Sequence, residues 1–523
     1  MKKIQRALVS VWRKEGIVPL VEDLRRYNIE ILSTGGTATV LTEHGIPVTP
    51  VETVTGAPEM LGGRVKTLHP RLHGGILARR DDPEQMDEVT QHSLSLIDLV
   101  VVDLYPFEQV IQQKQVDLKT ALEHIDIGGP TMLRAAAKNF PDVAVVCDPS
   151  QYDLVRTELQ QCNGATTHPL RQRLALEAFQ RIAAYDGAIS AYLQQLNSTS
   201  QAKRMFSAYQ PVALRQVRTL RYGENPHQQA ALYQTPLPSA PSLVTAAQLH
   251  GKELSYNNLA DADAALVAVQ EFTETAVVIV KHQTPCGIAA GDSLASAYQR
   301  AYATDPDSAS GGVISCNREI DTEFAQAIGD RFIEVLLAPA FQPEALSILK
   351  RKKNRRLLAL GEGLEQTEAP SPRLLWRSIA GGALAQEIDR GQVTSEDLQI
   401  VTERHPTAEE IATMLFAWKV IKHVKSNAVI LAQDGQTVGI GAGQMSRVDA
   451  SRMALMKARS SPEGCVAASD AFFPFPDGLE VLAQAGVRAL IQPGGSVRDK
   501  EVIAAANQYG VAMAFTGLRA FRH

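Results

Sequence analysis

Short aliphatic runs alternate with stretches of helical period along the whole chain. "ALVSV" precedes the helical pattern of "GIVPLVEDLRRY", and "IEILST" runs through Gly35-Gly36 into another; "IDLVVVDLY" and "VAVVC" read as buried strands. This alternation predicts a parallel sheet with helices packed on its faces. A helical pattern from about Pro169 to Leu196 closes the region. The polar, weakly periodic "NSTSQAKRMFSAYQP" then places a boundary near residue 200, dividing the chain into domains 1–200 and 201–523. The second domain is again α/β, with "TAVVIV", "EVLLAP", "NAVILAQ", "TVGIGAG" and "VRALIQPGG" as strands. It is long for one layer arrangement, so two similar halves, split around residues 360–400, are expected.

At 523 residues, two or more domains are expected in place of a single compact core. Hydrophobic residues at 45% and charged residues at 21% fit a globular chain, and a net charge of -5 gives no bias toward nucleic acid or an anionic membrane. The basic run "KRKKNRR", Lys350 to Arg356, reads as a solvated surface loop. The opening residues lack a signal-peptide core, and no apolar run reaches bilayer length, so a cytoplasmic location is expected. Cys147, Cys162, Cys286, Cys316 and Cys465 are widely spaced without a C-x-x-C, which argues for free thiols.

Several stretches carry candidate chemistry. "STGGTA", Ser33 to Ala38, follows a strand and opens a helix; it suits a phosphate or a tight capped turn equally. "GGRVKTLHPRLHGG" packs Arg64, Lys66, His69, Arg71 and His73 into a glycine-bounded loop, as an anionic ligand or a solvated basic loop would have it. Asp103 and Tyr105 sit at a strand's C-terminal end, where open parallel sheets bind ligands. Asp126 precedes a Gly-Gly turn, and Lys138 lies further along the following helix. In "GKELSYNNLADADAA", Asp261 or Asp263 is expected to cap a helix. Gly439, Gly441 and Gly443 miss the dinucleotide spacing, leaving a glycine-rich strand end that holds Arg447 toward a ligand. Phe472, Phe473 and Phe475 either plug a core or line a heterocycle pocket. In "VVIVKHQTPCG" a buried strand ends on Lys281-His282. A zinc-deaminase site needs H-x-E and P-C-x-x-C; the glutamate and the second cysteine are both missing, so no metal is expected there.

"RVKTLHPRLHGG", "DIGGPTMLRAAAKN", "RYGENPHQ", "GKELSYNNLADADAA", "VKH…PCG", "GIGAGQMSR", "SDAFFPFPDG", "IQPGGSVRD" and the final "FRH" occur in this order. Together they resemble the bifunctional purine-biosynthesis family that joins AICAR transformylase to IMP cyclohydrolase, over essentially the whole chain. The resemblance implies an N-terminal methylglyoxal-synthase-like domain and a C-terminal transformylase domain of two cytidine-deaminase-like lobes without zinc. It implies 10-formyltetrahydrofolate as cosubstrate, AICAR and formyl-AICAR/IMP as the other ligands, and a homodimer with transformylase sites at the subunit interface. A monovalent cation is a family feature that no motif here places.

By the same resemblance His282 is the transformylase base, with Lys281 and Asn427 beside it. Arg221, Tyr222, Gly311, Glu334, Arg447 and Arg519 map to AICAR contacts, and Phe472 and Asp477 to the folate pocket. In the cyclohydrolase, Lys138 handles proton transfer with Arg64, Lys66, Tyr105 and Asp126 around the ring. Lys14, Thr34, Gly35, Gly36, Thr37, Thr67 and Asp103 map to the nucleotide. Three positions that the resemblance puts at the cyclohydrolase nucleotide depart from the family pattern: Trp12 and Arg13 replace a small hydroxyl and an acid, and Asp103 stands for an asparagine; Thr284, Ser310 and Glu334 are milder departures in the second domain. An extra carboxylate near phosphate is repulsive unless Arg13 offsets it. The rival reading follows: a transformylase whose N-terminal domain binds nucleotide without catalysis.

Overall fold

The computed structural model describes residues 1–113, 116–197, 206–236, 241–361 and 374–523. Two compact units emerge, Met1–Arg215 with Thr235–Leu237, and Gln216–Gln234 with Pro238–His523. In the first, β1 (Arg6–Val11), β2 (Glu30–Ser33), β3 (Thr49–Pro50), β4 (Leu99–Asp103) and β5 (Ala144–Val146) form a parallel sheet in the order 3-2-1-4-5. Both faces are covered, which is why β4 is buried at every position. Helix α1 (Ile17–Arg26) buries Ile17, Leu20, Val21 and Leu24, a single stripe at helical spacing. Helix α2 (Gly35–Glu43) follows β2. Helix α3 (Gly128–Lys138) precedes β5, and the 30-residue helix α4 (His168–Asn197) closes the unit.

The second unit holds a twelve-stranded sheet in which one element order occurs twice. Its first half comprises β6 (Ala247–His250), β7 (Ala276–Lys281), β8 (Thr284–Ala290), β9 (Val313–Cys316), β10 (Val335–Ala338) and β11 (Arg356–Ala359). Its second comprises β12 (Gln399–Ile400), β13 (Val429–Gln433), β14 (Gln436–Gly441), β15 (Val466–Ser469), β16 (Ala489–Gln492) and β17 (Ala512–Phe515). From one edge the sheet runs 6-11-10-9-7-8, and from the other 12-17-16-15-13-14; the halves meet where β8 lies antiparallel to β14, Ala289 opposite Gln436. Helices occupy matching places: α5 (Tyr256–Val269) and α7 (Ala408–Ile421) before the hairpins, α6 (Leu294–Thr304) and α8 (Arg447–Lys457) after them.

Two local expectations are corrected. Ser255, not Asp261 or Asp263, caps α5, its hydroxyl accepting from Asn258 N at 3.1 Å. Lys350 to Lys353 are exposed, but Arg355 and Arg356 are buried. Arg355 donates to the Gly329 and Arg331 carbonyls at 3.1 and 2.9 Å, and Arg356 pairs with Glu334 at 2.6 Å. The basic run therefore ends as a structural tie, because a buried guanidinium must find acceptors for its donors.

Candidate active sites

In the first unit β1 and β4 are neighbours whose connections leave in opposite directions, the crevice where open α/β sheets bind ligands. Trp12, Arg13 and Lys14 follow β1; Leu104 and Tyr105 follow β4. Thr34 and Gly35 lead into α2, and Gly35 takes φ +46°, a conformation that favours glycine. The buried Thr37 hydroxyl accepts from Val11 N at 3.1 Å and from Lys14 Nζ at 3.0 Å. A Cβ on Gly35 would lie 3.6 Å from Lys66 Nζ, so two ammonium groups flank the Gly35-Gly36 turn. Burial pushes the Lys14 pKa down, and Lys66 adds to this while Asp103 opposes it. An incoming phosphate would relieve that repulsion between the two cations.

Asp126 faces the same crevice. Burial pushes its carboxyl pKa up, against the N–H groups of Gly129 and Tyr105 and the charge of Lys66. Gly129 N donates to it at 2.8 Å. Thr67 is buried beside Gly128, where an added Cβ would meet Thr67 Oγ1 at 2.6 Å. Arg64 lies at the rim, 65% exposed and paired with Glu123. Lys138 is not brought into this group. It ends α3, whose start lies beside Thr67 and Asp126, and a helix of that length spans about 15 Å. The next residue, Asn139, donates to the Ile76 and Ala78 carbonyls, at the far end of the helix Pro70–Leu77.

The unusual Asp103 is 5% exposed and held by Arg13. The guanidinium donates through NH2 to Oδ1 at 2.6 Å and through Nε to Oδ2 at 3.0 Å, and Arg13 N adds a third bond at 2.9 Å. Arg13 NH2 also reaches Asp148 at 2.8 Å. Trp12 meets the Tyr105 ring edge-on at 5.2 Å. The three departures in sequence are one assembly in space.

In the second unit the β7–β8 hairpin turns on His282-Gln283, at φ +53° and +60°. Lys281 Nζ donates to Ser310 O at 2.6 Å, next to Gly311 with φ +71°. His282 is exposed, and its cleft is lined by Lys281, Thr284 and Cys286 from one half and Ile440, Ala442 and Lys457 from the other. Burial pushes the Cys286 thiol up to about 12, so it is a packed thiol and no nucleophile at neutral pH. Asn427 pairs with Gln444 through both backbone bonds, at 3.0 and 3.2 Å, two residues beyond Ala442. Lys281, His282 and Asn427 thus share one end of the seam between the halves.

Arg447 is 6% exposed and turned inward. Its NH2 donates to Asn427 Oδ1 at 2.8 Å and its NH1 to Ala428 O at 2.9 Å and to Asp470, while Asn427 Nδ2 donates to Gln444 O at 2.9 Å. Instead of reaching out from a glycine-rich strand end, Arg447 fixes the Asn427 amide; its buried Nε has no hydrogen-bond partner among the described residues. The C-terminal segment returns to this place, with Ala520 N donating to Asp470 O and Ser426 N to Arg522 O, both at 2.9 Å, and it carries Arg519. Phe472 is 39% exposed, Phe473 is fully buried, and Asp477 opens the helix Asp477–Gln484. Glu334 is taken up by Arg356, one strand from Gly312. Arg221 stacks over Tyr222 at 5.4 Å, in a loop tied to α5 by Asn257 Nδ2 donating to Glu224 O at 3.2 Å. The sequence did not single out Asp470, or Asp261 as a partner of the Lys-His turn. Among the described residues no His, Cys, Asp and Glu side chains cluster as a metal site would need, and no helix is long and apolar enough to cross a membrane.

A doubly wound unit with a cation-lined crevice and a duplicated unit with a Lys-His turn at its seam define a two-domain α/β enzyme. The chain belongs to the AICARFT/IMPCHase bienzyme family, whose model matches residues 136–457, and an MGS-like domain matches residues 16–131. It is a bifunctional enzyme of purine biosynthesis, a formyltransferase and a cyclohydrolase. It is 48% identical to the bifunctional purine biosynthesis protein PurH of Oceanobacillus iheyensis, over 99% of this chain and 100% of that protein. The PurH proteins of Anoxybacillus flavithermus and Bacillus cytotoxicus are each 49% identical, over 99% and 100% of this chain and all of their own length.

Proposed function

We propose that the chain transfers the formyl group of 10-formyltetrahydrofolate to the 5-amino group of AICAR in the second unit, and closes formyl-AICAR to IMP in the first. The observation that supports this reading is the Lys281-His282 turn on a cleft that Ile440, Ala442 and Lys457 of the other half also line. The amine is conjugated into an imidazole carboxamide and is a poor nucleophile, so a positioned base contributes roughly 10²–10⁴ in rate. His282 takes the amine proton as the new C–N bond forms. The folate N10–formyl bond breaks, and N10 takes up a proton. Lys281, tethered at Ser310 O, and the amide of Asn427 are the groups we assign to the charge that develops on the formyl oxygen. Arg221, Tyr222, Gly311 and Arg519 serve AICAR, and Phe472 and Asp477 the folate; Arg447 acts through the Asn427 amide it holds, and Glu334 is engaged by Arg356. The two halves act as cytidine-deaminase-like lobes that hold no zinc.

In the first unit the carboxamide nitrogen attacks the formyl carbon and water leaves. The reaction is intramolecular, so the site fixes one rotamer and moves protons. Lys66, Tyr105 and Asp126 do this, with Lys14 and the Thr34–Thr37 turn on the phosphate, Thr67 behind and Arg64 at the rim. The proton role expected of Lys138 has no support from its place in a single chain. The Arg13–Asp103 pair offsets the repulsion that the Asp103 carboxylate would otherwise offer a phosphate, and turnover of formyl-AICAR separates catalysis from the rival binding-only domain. The working form is a cytoplasmic homodimer with no nucleic-acid or membrane partner, and a monovalent cation has no assigned place.

The test uses AICAR plus 10-formyltetrahydrofolate, and formyl-AICAR alone, as separate substrates. The expected result is that His282→Ala abolishes formyl transfer and keeps cyclisation, while Lys66→Ala does the reverse. Loss of both activities in His282→Ala overturns the assignment of one reaction to each unit, and Lys138→Ala on formyl-AICAR decides whether that amine takes part.

A further inference from the structure

A two-residue hairpin turn of type I′ needs positive φ at both central residues, which is why Asn-Gly and Asp-Gly dominate such turns. The two halves of the second unit solve this problem differently. The β13–β14 turn is Asp434-Gly435, at φ +48° and +69°, a sequence that adopts the turn unaided. The β7–β8 turn is His282-Gln283, two side-chain-bearing residues held in the same left-handed region. Strain of this kind persists only where surrounding structure enforces it.

The enforcing group is Asp261. Both turn amides point to one carboxylate: Gln283 N donates to Asp261 Oδ1 at 2.7 Å and His282 N to Asp261 Oδ2 at 3.3 Å. Asp261 lies within α5 and so rides on a rigid element. It sits 21 residues before His282; at the same interval before Asp434, on the matching helix α7, stands Thr413. The half with the self-sufficient turn has no carboxylate there, and the half with the strained turn does.

We propose that Asp261 is a positioning residue for formyl transfer: it clamps the backbone of the His282-Gln283 turn and so aims the His282 imidazole at the substrate amine. This rests on the reading of His282 as the transformylase base. Without the clamp the turn relaxes to φ values its residues prefer, and the imidazole moves off line; a displacement of about 1 Å is enough to cost on the order of 10²-fold.

The experiment compares wild type, Asp261→Ala, Gln283→Gly and the double variant in both half-reactions. Asp261→Ala is expected to lower kcat for AICAR formylation by roughly 10–100-fold with little change in KM for AICAR. Cyclisation of formyl-AICAR by the same protein should be unchanged, which shows that the chain has folded. In the Gln283→Gly background the same aspartate substitution should cost much less, because glycine takes the turn without a clamp. A variant Asp261→Ala with wild-type formylation overturns the proposal, as does an equal loss in both backgrounds. If His282→Ala itself retains formyl transfer, the underlying reading fails instead, and the two failures are distinct.

Discussion

Arg13 and Asp103 show how residues that look wrong singly can be right together. In sequence, 90 positions apart, one is a misplaced cation and the other a carboxylate where phosphate is expected. In space they form a bidentate pair that leaves the crevice electrically close to its usual state. Breaking the pair leaves a buried, unpaired carboxylate in the crevice proposed to hold the nucleotide. Arg13→Ser is therefore expected to weaken IMP binding by at least about tenfold and to lower stability by about 1–3 kcal/mol, the scale of lost charged hydrogen bonds. The double variant with Asp103→Asn should recover most of both, read by calorimetric titration with IMP and by denaturant unfolding. Independent, additive effects would show that the two residues do not compensate. The motifs made the cation-rich loop and the Lys-His pair legible from sequence. Asp261 was not, because a helical pattern hides which of its polar residues faces a turn 21 residues away.

At the scale of elements, aliphatic runs marked most of the strands, because a doubly covered sheet demands continuous apolar stretches. The glycines of "VGIGAG" misled. Their purpose is the close approach of α8 to β14: a Cβ on Gly439 would strike the Ala454 carbonyl, and one on Gly441 the Ala450 carbonyl. Gly287 on β8 faces the Ala301 carbonyl of α6 in the same way, so the feature belongs to the duplicated architecture and not to a ligand. The two hairpins yield a matched test. A Cβ at Gly435 would meet only Ala290 O, at 3.9 Å, so Gly435→Ala pays for φ alone and should lose about 1 kcal/mol. Gln283→Gly removes the same strain and should be neutral or stabilising by up to about 1 kcal/mol. Denaturation midpoints of the two variants moving in the same direction would contradict the equivalence of the turns.

At the scale of the whole molecule, duplication creates the seam on which the proposed transformylase chemistry depends, and no short-period repeat in the sequence announces it; the two halves share topology, not motif. A buried polar knot ties them. Glu271, just past α5, accepts from Lys422 Nζ at 2.8 Å and from His423 Nε2 at 3.3 Å, both just past α7. Arg522 NH1 faces His423 Nδ1 at 3.1 Å. A guanidinium only donates, so Nδ1 accepts, Nε2 carries the proton, and the ring is neutral. Burial pushes the His423 pKa below its ordinary 6.5, with Arg522 and Lys422 adding to the effect against Glu271. Glu271 is half-buried; burial pushes its carboxyl pKa up, but the hydrogen bonds from His423 and Lys422 and the fixed charge of Lys422 hold it below the ordinary carboxylate range. The sign is the same for both groups. The unfolded chain binds the proton first, so the stability they contribute is present above the unfolded pKa and lost as pH falls. For His423 the loss begins near pH 6.5, and for Glu271 only below about 4.5. Unfolding free energy of the second unit should therefore fall as pH drops below 6.5, by up to about 1.4 kcal/mol per pH unit, the slope of one proton. His423→Gln, which retains a donor toward Glu271 and has no titrating ring, should flatten that limb and leave the steeper loss below pH 4.5 in place. An unchanged slope in the variant would mean that some other group takes up the proton.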